Sequence, residues 1–299
     1  MRVAIVGLIA MGAAAVALIA GSGPHRDVTP GIRAASPVSA APTSVLPAMP
    51  PVDPRALAVD LDRAQAIIDD AGSSTVELEN AGRFEQLATR AVASAPRAAQ
   101  RALMPQLAGA TASTMRADLL AVGALARLAV PRVSLPHWRI VSPPPPATLL
   151  RYFRAAQSRF GVGWQYLAAI EFIETKFGRV HGLSTAGAEG PMQFMPATWK
   201  RYGYGDVHNP RDAIFGAARY LVASGAPAHI AGALYYYNPS ADYVAAVEDY
   251  ARRMRADPRA YYGYYYWQVI YAKRGGAVIL PVGYPKLRPA PLRVQTVSR

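Results

Sequence analysis

Prolines divide this chain before any other feature is considered. They gather between Pro24 and Pro54 and again between Pro131 and Pro146, with four in succession from Pro143. A proline inside a helix removes a backbone hydrogen bond and clashes with the carbonyl four residues back. Beyond the N-terminal segment, helices are therefore confined to residues 55–130 and to the chain from residue 148 onward. Residues 21–54, rich in Pro, Ala and Ser and without periodicity, read as a semi-extended linker. Residues 131–147 read as a stiff, Pro-rich hinge. His137 and Trp138 lie in it, and a lone His there reads as structural.

Both helical windows show the expected spacing. Asp53-Pro54 is a cap followed by proline at the first helical position, and Leu57, Leu61, Ala64 and Ile68 follow at three- and four-residue intervals. Ser74 and Glu77 match a capping box for a helix whose apolar face is Leu78, Phe84, Leu87 and Val92. Further helices fit 97–108 and 112–129, the latter with Met115, Leu119, Val122 and Leu125 on one stripe. Residues 55–130 hold no catalytic constellation and read as a helical packing region. In the second window Leu149, Tyr152, Phe153 and Ala156 form a stripe ending at Gly161. Another helix runs from about Gly163 to Phe177 and stops at Gly178. Helices also fit 191–202, 210–224, 228–237 and 240–255. No alternation of period two appears before residue 276, and residues 277–282 read as one short strand. The fold class is therefore mainly α, ending in a basic tail over 276–299 with a disordered end.

Val3–Ala20 is eighteen uncharged residues behind Met1-Arg2. Such a run reads as an export signal and is just long enough to span a bilayer. Small residues at Ala20-Gly21-Ser22 fit a cleavage site, and Val38-Ser39-Ala40 fits one farther on. A cleaved signal peptide and an uncleaved membrane anchor (residues 1–20) both fit. Arg2 on the cytoplasmic side places everything after Ala20 outside. The expected location is extracytoplasmic, either secreted or tethered to the outer face of the cytoplasmic membrane.

Composition narrows the chemistry. Cysteine is absent, which excludes disulfide frameworks, thiolate metal sites and a cysteine nucleophile. Apolar residues make up 52% and charged residues 17%, too apolar for wholesale disorder. The net charge is +13, and residues 151–299 hold 19 basic and 9 acidic side chains against 13 and 10 before them. A basic surface attracts polyanions; export argues against nucleic acid as the partner.

The stretch from Trp164 to Trp199 carries the chemistry. Glu171 and Glu174 stand three apart in an otherwise apolar helix, on neighbouring parts of one face. Desolvation raises a carboxyl's pKa, and the negative end of the helix dipole near Gly178 acts in the same direction on Glu174. A protonated Glu at neutral pH serves general-acid catalysis; pairing with Lys176 or Arg179 is the structural alternative. The glycine-rich loop GLSTAGAEGP (182–191) then lets backbone approach a ligand closely. It leads into Met192-Gln193-Phe194, and Tyr235-Tyr236-Tyr237-Asn238 follows about forty residues later.

Here the sequence resembles the lysozyme-like, soluble-type lytic transglycosylases. Their catalytic Glu-Ser, Gly-Leu-Met-Gln and Ala-Tyr-Asn motifs correspond to Glu174-Thr175, Gly190-Pro191-Met192-Gln193 and Tyr236-Tyr237-Asn238. The order, the spacing and the continuation Phe194-Met195-Pro196-Ala197-Thr198-Trp199 also agree. Thr175, Pro191 and Tyr236 depart from the pattern; the acid, the glutamine and the motif tyrosine remain. The resemblance covers about residues 148–256. It implies a lysozyme-like helical catalytic domain, taken here as 148–275, that acts on peptidoglycan glycan strands without metal or other cofactor. Glu174 would be the acid and base, preferred over Glu171. Thr175, Gly190, Met192, Gln193, Tyr237 and Asn238 would form the substrate site, with Tyr237 hydrogen-bonded to Glu174. The β-1,4 bond between N-acetylmuramic acid and N-acetylglucosamine would be cut with closure of a 1,6-anhydro ring. A lysozyme-type hydrolase needs a second carboxylate, for which Glu189, Asp206 and Asp212 are nearest in sequence; a non-catalytic wall-binding protein is the third reading. The six aromatics from Tyr261 to Trp267 fit either a flanking sugar subsite or a seal on the domain's edge.

Overall fold

In the computed structural model, which describes residue 46 and residues 49–293, eleven α-helices and five short strands follow one another. The apolar run Val3–Ala20 lies outside the described residues. Among the described residues, no helix is long and apolar enough to cross a membrane.

The first window folds as its local chemistry requires. Helix α1 (Pro54–Asp69) starts where Asp53 accepts the Ala56 N–H at 2.8 Å. Helix α2 (Thr75–Ser94) starts on the complete Ser74–Glu77 capping box. Helix α3 (Arg97–Leu103), a 3-10 turn (Met104–Gln106) and α4 (Gly109–Leu128) complete the region. Leu57, Leu61, Ile68, Phe84, Leu103 and Met115 fill the core between them.

The second window contributes α5 (Pro146–Phe160), α6 (Trp164–Thr175), α7 (Pro196–Tyr202), α8 (Pro210–Ala223), α9 (Ile230–Tyr237), α10 (Ala241–Ala256) and α11 (Ala260–Tyr265). Helix α6 is buried without a break from Leu167 to Thr175. A helix apolar on all sides belongs at the centre of a domain, and the others surround it. Tyr261, Tyr264, Tyr265 and Trp267 pack beneath it, with Tyr264 stacked on Phe172 at 4.9 Å and Tyr261 edge-on to Phe177 at 5.2 Å. For these four, sealing the core replaces the sugar-subsite reading.

The strands differ from the single one expected. Strand β1 (Arg139–Ile140) pairs with β2 (Val180–His181). Strand β3 (Val269–Lys273) pairs antiparallel with β4 (Gly276–Leu280), Val269 opposite Leu280, and β5 (Ala290–Pro291) adds to β4. The described part of the basic tail, 276–293, is thus a hairpin edge and a short added strand, and residues 294–299 of the end read as disordered lie outside the described residues. The Pro-rich segment is also knitted in at both ends: Arg132 N donates to Ala272 O at 3.3 Å, and Ile140 N donates to Tyr284 O at 3.1 Å.

The two windows share one interior. Helix α4 lies along α10, and its Ala121, Val122 and Leu125 join the core around α6. Arg253 of α10, buried, reaches Asp118 of α4 at 2.7 Å and Glu85 of α2 at 2.5 Å. Tyr264 also donates to Asp118, and Trp267 Nε1 donates to Glu85 at 3.4 Å.

Candidate active site

The C-terminal end of α6 is tightly specified. Lys176 and Phe177 both adopt left-handed backbone at φ 53° and 61°, followed by Gly178 at 78°. For non-glycine residues this conformation costs of order 1–3 kcal/mol each and persists only where the surroundings enforce it. The chain turns sharply here and leaves Glu174 in the helix's last turn.

A second tight turn meets it. Glu189 and Phe194 exchange backbone hydrogen bonds at 2.9 and 2.8 Å and close the loop that holds Gly190-Pro191-Met192-Gln193. Gly190 has φ 74°, and a Cβ there would stand 2.2 Å from Val207 O, so only glycine fits. Two hydroxyls pin the loop. Thr175 Oγ1 donates to Pro191 O at 2.6 Å and accepts from Gly178 N at 3.0 Å; Tyr237 Oη donates to Met192 O at 2.7 Å. Thr175 and Met192 are fully buried and Tyr237 nearly so, and their contacts hold the loop in place. Gln193, at φ 50°, donates from Nε2 to Gly190 O at 3.0 Å, while its buried Oε1 has no partner. Asn238 ends α9, with its Nδ2 buried and likewise unpartnered.

Glu174 is 3% exposed, and Tyr243 Oη donates to its Oε1 at 2.9 Å. The expected bond from Tyr237 is therefore corrected. That hydroxyl is committed to Met192 O, and the tyrosine on the acid comes from α10, where Ser240 caps the helix and sets Tyr243 on its first turn. Burial and the Glu174 charge hold the Tyr243 phenol well above its ordinary range, so it stays a hydrogen-bond donor. Sequence reasoning missed Tyr243; its signal was the Ser240 cap, which fixes which side chains start the helix.

Glu171 occupies a different environment. Its carboxyl is fully buried, neither oxygen has a partner, and burial pushes its pKa up to about 8. Lys176 is buried too. Its Nζ donates to Phe172 O at 2.8 Å and lies 4.0 Å from that ring's centre; burial, then Arg90, lowers its pKa to about 7, against the opposing pull of Glu174. The other carboxylates are engaged elsewhere. Glu189 lies 3.6 Å from His208, and Asp212 accepts the Asp206 N–H at 3.2 Å. Among the described residues no group of three His, Cys, Asp or Glu is placed to hold a metal ion.

Residues 151–254 match the family described as the transglycosylase SLT domain. The chain carries an SLT domain. It runs from α5 through α10 and includes both loop turns, Glu174 and Tyr243. A membrane-bound lytic murein transglycosylase F of Thiobacillus denitrificans is 32% identical over 121 residues, 38% of this chain. The chain spans 26% of that relative's length. No solved structure matches. Helices α1–α4 and the C-terminal hairpin lie outside the SLT domain but are packed onto it.

Proposed function

We propose that the protein is a peptidoglycan lytic transglycosylase in which Glu174 is the single acid and base. The observation that carries this reading is the Glu174–Tyr243 hydrogen bond at the strained end of the central SLT helix. A carboxyl withdrawn from water and held by a phenol that does not ionise keeps one orientation. General-acid catalysis requires that constancy. Glu174 gives its proton to the glycosidic oxygen as the N-acetylmuramic acid–N-acetylglucosamine bond breaks. The carboxylate then takes the proton of the muramoyl 6-hydroxyl, which closes the 1,6-anhydro ring. No external water enters, so no second carboxylate is needed to activate one. Gly190, Met192, Gln193, Tyr237, Asn238 and Thr175 shape the wall against which the sugar lies. Gln193 Oε1 and Asn238 Nδ2, buried beside this wall, have no partner among the described residues.

We place the site outside the cytoplasmic membrane on the strength of Val3–Ala20, with the named relative, itself membrane-bound, in keeping. Mass analysis of products from purified peptidoglycan tests the reaction. Anhydro-muropeptides are expected; products heavier by one water would make the enzyme a lysozyme-type hydrolase, and no products would leave a wall-binding protein.

A further inference from the structure

A groove of about 870 Å³ opens on the outer side of the loop that Thr175 pins to α6. One wall is β1 with its flanking prolines, another is the turn after Gly178, and the third is Glu189-Gly190-Pro191. Prolines 143, 144, 191 and 210 make it rigid and apolar, and Gly178, Gly182 and Gly190 expose backbone to it. Its polar side chains are mostly cationic or able to become so. Arg139 and His181 are direct partners across the β1–β2 pair. His208 stands opposite, near enough that it and Arg139, after partial desolvation of the ring, hold the His181 pKa below its usual range. His137 completes the set, and Glu189, paired with His208, is the one acid in the lining. Arg139 is exposed and has no ion pair among the described residues.

A rigid, proline-walled groove with an uncommitted guanidinium and imidazoles fits an extended chain of small residues bearing carboxylates. It shares Gly190 and Pro191 with the loop pinned by Thr175, the residue after Glu174, so the groove and the acid border one loop. We propose that this groove receives the acidic peptide stem borne by the muramoyl residues of the strand being cut, with a stem carboxylate against Arg139, His181 and His208. The proposal rests on the peptidoglycan reading above and extends it from the glycan to its peptide.

Two measurements on the whole chain test it. Titration with the free tetrapeptide stem should show binding that Arg139→Ala and His181→Ala each weaken about tenfold, as loss of a charge-assisted hydrogen bond implies. In turnover, wild-type KM should be lower on peptide-bearing strands than on amidase-stripped strands. In Arg139→Ala the ratio should fall towards one with kcat on the peptide-bearing strands retained, and Arg139→Lys should restore part of it. Equal weakening on stripped strands would make the groove a sugar subsite and overturn the proposal. So would unaltered peptide binding in both variants, or displacement of the stem by a glycerol-phosphate polymer at equal charge. A wild-type protein that cuts neither substrate would remove the transglycosylase reading alone, because the peptide titration still decides the groove.

Discussion

Glu174 and Glu171 are one helical turn apart, yet they are not interchangeable. Glu174 has a phenol on Oε1 and a sliver of exposure; Glu171 is sealed, with no partner on either oxygen. Glu174→Gln should lower peptidoglycan cleavage by at least the roughly 10²–10⁴-fold due to general-acid catalysis, with the melting temperature little changed. Glu171→Gln should cut at near the wild-type rate, and the reverse outcome would exchange their roles. Three tyrosines around the site make a sharper test. Tyr243→Phe removes one oxygen and the hydrogen bond that orients Glu174. Such a bond to an ionisable group is worth ~1.5–3 kcal/mol, so kcat should fall about ten- to a hundredfold. Tyr237→Phe frees Met192 O and should act through the loop, raising KM as well. Tyr236, 67% exposed, is the control, and Tyr236→Phe should leave the kinetics unchanged. Identical kinetics in the Tyr243 and Tyr236 variants would sink the orienting role.

At the scale of elements, α6 is a central apolar helix that carries an unpartnered acid, and the consequence can be measured. Folding lifts the Glu171 pKa from the ordinary carboxylate range to about 8 through burial. Between those values the folded state keeps a proton that the unfolded state has released, so this group lowers stability as pH rises through that window. Glu171→Gln abolishes the term. Its melting temperature should gain on wild type progressively from pH 5 to pH 8; a gap independent of pH would show that Glu171 ionises normally. Helix α6 and its motif could be read from the sequence because their determinants are local: an apolar run, a stop glycine and the motif order. The starts of α1 and α2 were readable for the same reason, since Asp53 and Ser74–Glu77 act within three residues. Strand β3 was not. It is buried on both faces, which removes the alternation that marks a half-buried strand. Helix α11 was hidden because its tyrosines are buried around most of its circumference and leave no amphipathic stripe. Tyr243 was assigned no role because its partner stands 69 residues earlier, a pairing that only tertiary packing creates.

For the molecule as a whole, the question is whether residues 55–130 are an appendage or part of the catalytic unit. The Arg253 cluster argues for the latter. A buried guanidinium draws carboxylates from α2 and α4, neither of which belongs to the SLT domain, and those carboxylates also take Tyr264 and Trp267 from beyond its other end. Burial already lifts Asp118 to about 7 against the pull of Arg253. Arg253→Met should therefore strand two buried acids and cost about 3–5 kcal/mol near neutral pH, an expected drop of roughly ten degrees or more in Tm for a chain this size. Lowering the pH to 5 should shrink the deficit, because protonating Asp118 relieves part of the uncompensated charge. The same reasoning applies to truncation. A fragment of residues 148–275 keeps Arg253 but loses Asp118, Glu85 and the apolar stripe of α4, exposing a guanidinium site built for burial together with the face of α10 that α4 covers. It should melt well below the whole chain and cleave peptidoglycan poorly, while the whole chain should unfold in a single transition. If the fragment matched the whole chain in Tm and turnover, or if calorimetry of the whole chain showed two separate transitions, helices α1–α4 would be a detachable module and the Arg253 cluster would be dispensable to the SLT domain.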